Sequence, residues 1–243
     1  MMTVWDDHDY GWNDGGASFA FRQWAQEIYR HFWNVPADIR AHDGVYFARE
    51  YGEAGQRVQL IMLDTRFFRS DLRRPQPGEE GPEIGRYLPQ NAPDATMLGD
   101  AQWQWLEEQL RRPADLRLVV SSVQVLTTAY GWEGWGLMPR ERARLLDMLD
   151  KRAGGGAVLL SGDRHAAGIY RADGTVEITA SSLNAPAGTT EQMTEREPDP
   201  ARVTPFFGEA NFGLIDIDWR ARTVSLRVMG DKGEERATGT MAF

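Results

Sequence analysis

Two short apolar runs constrain the fold of this chain more than any other feature. Leu116 to Val120 is apolar except for Arg117, and Ala157 to Leu160 is apolar throughout. Runs of this length read as strands buried on both faces, and such strands need a packed layer above and below them. Between the two, Pro139 suits the first turn of a helix reaching Asp150, with Leu145, Leu146 and Leu149 to pack and Gly154 to Gly156 to stop it. A second helix is expected over residues 18–33, where Phe21, Trp24, Ala25, Ile28 and Phe32 fall on one apolar face and Pro36 follows. A third spans residues 100–111, with Trp103, Leu106 and Leu110 on one side. Residues 46–51 and 57–63 read as a hairpin whose turn carries Gly52 and Gly55. Further strands are expected at 168–171, 175–179, 212–219 and 223–229, and residues 1–5 read as the end of a buried strand. Helices alternating with strands, then a strand-rich tail, predict an α/β class with a mixed sheet. No repeat and no second domain is evident over residues 1–243.

Two stretches break the pattern. Residues 70–96 are rich in Pro and Gly, and a loop that long in a compact domain is functional or disordered. Residues 185–200 are polar and read as a mobile loop.

Composition excludes several classes. With 42% hydrophobic residues the chain has material for a core, so global disorder is ruled out. The 27 basic against 36 acidic residues, a formal charge of −9, argue against a sequence-specific nucleic-acid binder held by phosphate contacts. The absence of cysteine removes disulfides, Cys-ligated zinc and thiolate nucleophiles. No apolar run approaches the ~18–20 residues of a membrane span.

Two polar clusters sit at expected strand ends, where open α/β sheets place ligands. The first runs from Trp5 through Asp6, Asp7, His8 and Asp9 to Asn13 and Asp14. Carboxylates, an imidazole and an amide suit Mg, Ca, Mn, Zn or Fe, although a solvated acidic turn has the same composition. The second is Gly162-Asp163-Arg164-His165, directly after a buried strand. In extended backbone Asp163 and His165 would leave on the same face and could share a metal; the alternative is a turn-capping Asp and a surface His. Of the four histidines, His31 reads as an ordinary helix residue and His42 as part of a turn. Ser121 and Ser122 have no base beside them and read as strand-end residues. The stretch around Trp132 and Trp135 could wall a cleft or pack on the sheet.

Taken in order, the motifs Trp5-Asp6-Asp7-His8-Asp9 with Asn13, Leu63-Asp64-Thr65-Arg66 with Phe68-Arg69, Leu98-Gly99-Asp100-Ala101-Gln102 with Trp105-Leu106, Ser161-Gly162-Asp163-Arg164-His165, and Asn211-Phe212-Gly213-Leu214 resemble the PhoD-like alkaline phosphatases, a branch of the calcineurin-like metallophosphoesterases. The resemblance implies a metallophosphatase-like mixed β-sandwich flanked by helices. It also implies hydrolysis of a phosphomonoester or phosphodiester by metal-activated hydroxide, with two or more Ca, Fe, Mn or Zn ions. Carried onto this chain, Asp7, Asn13, Asp163 and His165 would ligate metal. His8 would stabilise or protonate the leaving oxygen, and Asp9 would orient His8. Arg66 would bind a phosphate oxygen, with a structural ion pair as the other reading. The family's upstream ligands, a Gly-Ser-Cys-like strand end and a Gly-Asp-x-x-Tyr-x-Asp-like loop, are not in this sequence. The expectation is therefore the C-terminal portion of such a domain, the alternative to an active enzyme being an inactive remnant that binds metal or phosphate weakly.

Overall fold

The computed structural model describes residues 1–152, 156–172 and 174–243. In chain order the elements are α1 (Asp7–Tyr10), α2 (Arg22–Phe32), α3 (Ala37–Arg40), β1 (Phe47–Tyr51), β2 (Val58–Met62), α4 (Gly99–Leu110), β3 (Leu116–Val120), α5 (Pro139–Arg152), β4 (Ala157–Ser161), β5 (Ala167–Ala172), β6 (Thr175–Ala180), α6 (Thr190–Arg196), β7 (Asn211–Asp218), β8 (Thr223–Gly230) and β9 (Glu235–Ala242). A six-stranded sheet has the order β1-β2-β3-β4-β6-β5, and β7-β8-β9 form a separate three-stranded sheet. β2, β3, β4 and β6 are parallel neighbours, with antiparallel β1 and β5 at the two edges. The class is mixed α/β, as the alternation of elements predicts.

Both faces of the large sheet are covered, and period-two alternation of side chains decides by what. Val119 and Leu159 face a helical layer in which Leu106 and Leu110 of α4 pack with Leu145 and Leu149 of α5. Their neighbours Leu116 and Val158 face the small sheet, meeting Val224, Leu226 and Val228 of β8. Arg117, the one charge in β3, is buried and donates to the carbonyls of Leu110 and Arg112, so it closes the C-terminus of α4.

Several expectations change on folding. Residues 1–5 form no strand: Trp5 is buried, but it is held by side-chain bonding, its Nε1 donating to Asp64 Oδ1 at 2.9 Å. α2 forms, yet its apolar face is outside. Gln26, Tyr29 and Arg30 are its buried residues, while Phe21, Trp24, Ile28 and Phe32 are exposed. Hydrogen bonding sets that orientation, since Gln26 accepts from Gly44 N and Arg30 Nη2 donates to His42 O at 2.5 Å. The polar stretch 185–200 contains α6, started by a reciprocal capping pair between Thr189 and Gln192. β9 was not foreseen: it is a polar edge strand interrupted by Gly239. Gly154 and Gly155, expected to end α5, lie outside the described residues.

Candidate functional site

The carboxyl ends of β2, β3 and β4 lie side by side. Leu63 N donates to Val120 O, Ser121 N to Leu160 O and Gly162 N to Ser122 O. The segments that leave β2 and β4 carry Asp64 to Arg66 and Gly162 to His165, and the parallel register brings them to one edge, where the N-terminal cluster docks.

After β2, Asp64 organises the scaffold. Fully buried, it accepts from Trp5 Nε1, from the Arg66 and Phe67 amides, and through its other oxygen from Val45 N at 2.9 Å. Burial raises its pKa against the pull of those N–H groups. The Leu63-Asp64-Thr65-Arg66 motif thereby ties the start of the first polar cluster to the sheet. Arg66 is fully buried. Its Nε and Nη2 bond Asp6 Oδ1, and its Nη1 bonds Glu133 Oε1 at 2.5 Å. Arg69 Nη2 reaches the same Glu133 oxygen at 2.8 Å and also donates to the carbonyls of Asp14 and Gly15. Of the two readings of Arg66, the geometry is that of an ion pair. Asp6 and Glu133 occupy the fork that would meet a phosphate.

Asp7, His8, Asn13, Asp163 and His165 all line one cavity of about 260 Å³. Two trios of carboxylates converge here: Asp7, Asp14 and Glu133 on the cavity wall, and Asp6 with Asp7 and Asp163 where the cavity borders a neighbouring hollow that Asp6 and Asp163 line. One oxygen from each member lies within 4.8 Å of the others. Asp7 belongs to both. Burial, reinforced by Asp6 and Glu133, raises the Asp163 pKa well above its ordinary value. Burial, with Asp6 and Asp14 nearby, pushes Glu133 up to about 7 against Arg66 and Arg69.

Asp163 and His165 do not reach the cavity by strand alternation. β4 ends at Ser161, and both residues are left-handed, with φ of 68° and 51°. Asp14 is left-handed as well, at 55°, so three of the five described non-glycine residues with positive φ stand at this site. Such conformations persist where surrounding structure imposes them. His165 Nδ1 faces Ala185 O at 2.8 Å. A carbonyl only accepts, so Nδ1 is the donor there, which leaves Nε2 as the ring nitrogen that a metal could meet.

His8 is exposed, with Nε2 3.9 Å from Asp7 Oδ2. Asp9 does not orient it. Its Oδ2 accepts from Asp6 N at 3.2 Å, so it braces the first turn of α1 while Asp7 is the carboxylate beside the imidazole.

The sequence reading missed Glu133, Arg86 and Arg196, and placed Asp14 in the first polar cluster without a role of its own. Glu133 is an acid between two tryptophans, and an ionisable group in an aromatic stretch is the signal that could have found it. Trp132 lines the cavity, with the guanidiniums of Arg86 and Arg164 over its ring at 5.8 and 5.6 Å, whereas Trp135 is core. Each half of the earlier alternative thus describes one tryptophan. Arg164 also pairs with buried Glu197 at 2.6 Å, which fastens α6 over the site. Arg86, from the Pro- and Gly-rich loop, and Arg196 are exposed cations on the cavity wall. Ser121 and Ser122 are occupied, bonding Val123 O and Thr65 Oγ1 respectively.

The chain is thus a mixed α/β protein, a helix-flanked pair of sheets with an acidic cavity beyond the ends of parallel strands. A family model for PhoD-like phosphatases matches residues 1–228, and the chain belongs to that family. Among solved structures it is similar to one titled "Structure of PhoD", with TM-score 0.66 and 19% identity over 98% of this chain. It spans about half, 51%, of that structure's length. GAP50, described as the anchor in the inner membrane complex of Plasmodium, is similar at TM-score 0.56 and 14% identity, over 87% of this chain and 62% of that one. No curated protein sequence matches. No helix among the described residues is long and apolar enough to cross a membrane.

Proposed function

We propose that this chain is a metal-dependent phosphoesterase that hydrolyses phosphomonoesters or phosphodiesters with two cations held by the paired carboxylate trios. The carrying observation is Glu133 Oε2, a buried carboxylate oxygen with no hydrogen-bond partner, in a trio with Asp7 and Asp14. An unsatisfied buried oxygen costs about 1–3 kcal/mol, more when charged, and a cation relieves it. All-oxygen trios supplemented by Asn13 and His165 suit Ca, Mn or Fe, with Zn less favoured by the hard donors.

Bound cations would polarise the phosphoryl oxygens and supply a hydroxide at neutral pH. The chain's own residues do the rest. Asp6, Asp7 and Asp163 would hold one ion and Asp7, Asp14 and Glu133 the other. Arg66 and Arg69 offset part of the negative charge from beneath and fix Asp6 and Glu133 in place. Arg86 and Arg196 attract the phosphate from the cavity wall, the role first expected of Arg66. His8 gives a proton to the leaving oxygen, positioned by Asp7.

The test is hydrolysis of p-nitrophenyl phosphate and bis-p-nitrophenyl phosphate by the purified chain with added Ca²⁺, Mn²⁺ or Fe³⁺. Turnover that a chelator abolishes, and that Asp163→Asn lowers by about a hundredfold or more (~2.7 kcal/mol), is the expected result. Metal binding by calorimetry without turnover would favour the alternative, an inactive member of the family that holds metal or phosphate weakly.

A further inference from the structure

The groove between α1 and α2 shares His8 with the acidic cavity and is lined elsewhere by Phe19, Phe21, Trp24 and Ile28. Its volume is about 260 Å³. Exposure of 66% at Phe21, 68% at Trp24 and 49% at Ile28 is unusual for one helix face. The face cannot turn inward, because Gln26 and Arg30 on the opposite side are buried and hydrogen-bonded to the segment 42–44. The floor exists because residue 11 is glycine. A Cβ there would stand 2.6 Å from the Phe19 ring, which packs against Tyr10 and Trp12 at centroid distances of 5.4 and 5.2 Å.

We propose that this groove is a subsite for an apolar group, aryl or short alkyl, on the leaving-group side of a phosphate ester. The inference rests on the phosphoesterase reading, since it extends the side of the site where His8 meets the leaving oxygen. Three observations select this occupant. The groove adjoins the acidic cavity, the two sharing His8 as a wall. Its volume is that of a ring or a short chain, below the range of whole drug-sized ligands and far too small for a protein segment. Apart from the shared His8 its walls offer a phosphoryl group no cation, and Asp9 adds a carboxylate there, whereas Arg86 and Arg196 stand in the neighbouring cavity. An ester bound across both would place its charge among cations and its apolar group against Trp24.

Calorimetric titration of the full chain in Mn²⁺ with phenylphosphonate and with methylphosphonate, neither of them hydrolysable, separates the possibilities. Burying a ring predicts phenylphosphonate bound about tenfold more tightly. Trp24→Gln, at an exposed position, collapses that difference, and Ile28→Ser serves if the first variant melts early. Equal affinity of the two phosphonates overturns the subsite and leaves the phosphoesterase reading standing. Binding of neither overturns both. Sedimentation of the same samples supplies the last arm: a dimer that Trp24→Gln disperses would make this face an interface between copies and overturn the subsite.

Discussion

Arg66 shows how a residue's role depends on its neighbours. An Asp-Thr-Arg triplet at a strand end suggests an anion binder, yet the guanidinium is fully buried between Asp6 and Glu133. Both carboxylates raise its pKa against the burial that opposes it. Removing one partner from a buried ion pair costs more than the pair contributes, because the remaining charges stay buried. Arg66→Leu is therefore expected to destabilise the chain by about 3–5 kcal/mol in urea denaturation. A phosphate-binding arginine would instead weaken phosphonate affinity while leaving the urea midpoint near its original value. Arg86→Ala is the contrasting variant, exposed and on the cavity wall.

At the scale of elements, local pattern decided most of the helices and strands, residues 1–5, α6 and β9 excepted, and tertiary bonding decided how they face. Glu177 of β6 illustrates the second step. Fully buried, it accepts from the amides of Val125 and Leu126, which fixes the chain after β3 against β6. Burial nevertheless raises its pKa above the ordinary 4.5. The folded state then binds the proton more tightly than the unfolded one, so the stabilisation is complete below about pH 4.5 and is lost as pH rises through the folded value. Between those limits the slope approaches ~1.4 kcal/mol per pH unit. Glu177→Gln, which cannot ionise, should flatten that segment of a urea-midpoint profile measured from pH 4 to 8. α2 makes the same point geometrically. Its apolar spacing is genuine, but two buried polar side chains outweigh it, since leaving Gln26 and Arg30 unpaired in the interior would cost several kcal/mol.

Over the whole molecule, the acidic cavity opposes folding until something neutralises it. Asp6, Asp7, Asp14, Glu133 and Asp163 converge on two points, with Arg66 and Arg69 beneath them. A ligand that binds only the folded state stabilises it by mass action, about 2.7 kcal/mol at one hundred times its dissociation constant. Saturating Mn²⁺ or Ca²⁺ should thus raise the melting temperature by several degrees, and Asp7→Asn, which touches both trios, should remove most of the shift. An unchanged melting temperature with every divalent ion would count against the trios as metal sites.

The sequence by itself determined the α/β class, because strands buried on both faces and alternating helices are short-range patterns written by side-chain period. It also determined that the cluster Gly162 to His165 follows a buried strand, and that Asp7, His8, Asn13, Asp163 and His165 belong together through the family they resemble. Only the tertiary structure decided the rest. Glu133 enters the site from 119 residues beyond Asp14, Asp9 braces a turn, Arg66 supports carboxylates, and α2 turns its aromatic face outward. Each of those outcomes depends on which distant groups share a buried volume, where an unpaired charge or amide is costly, and no local periodicity carries that information.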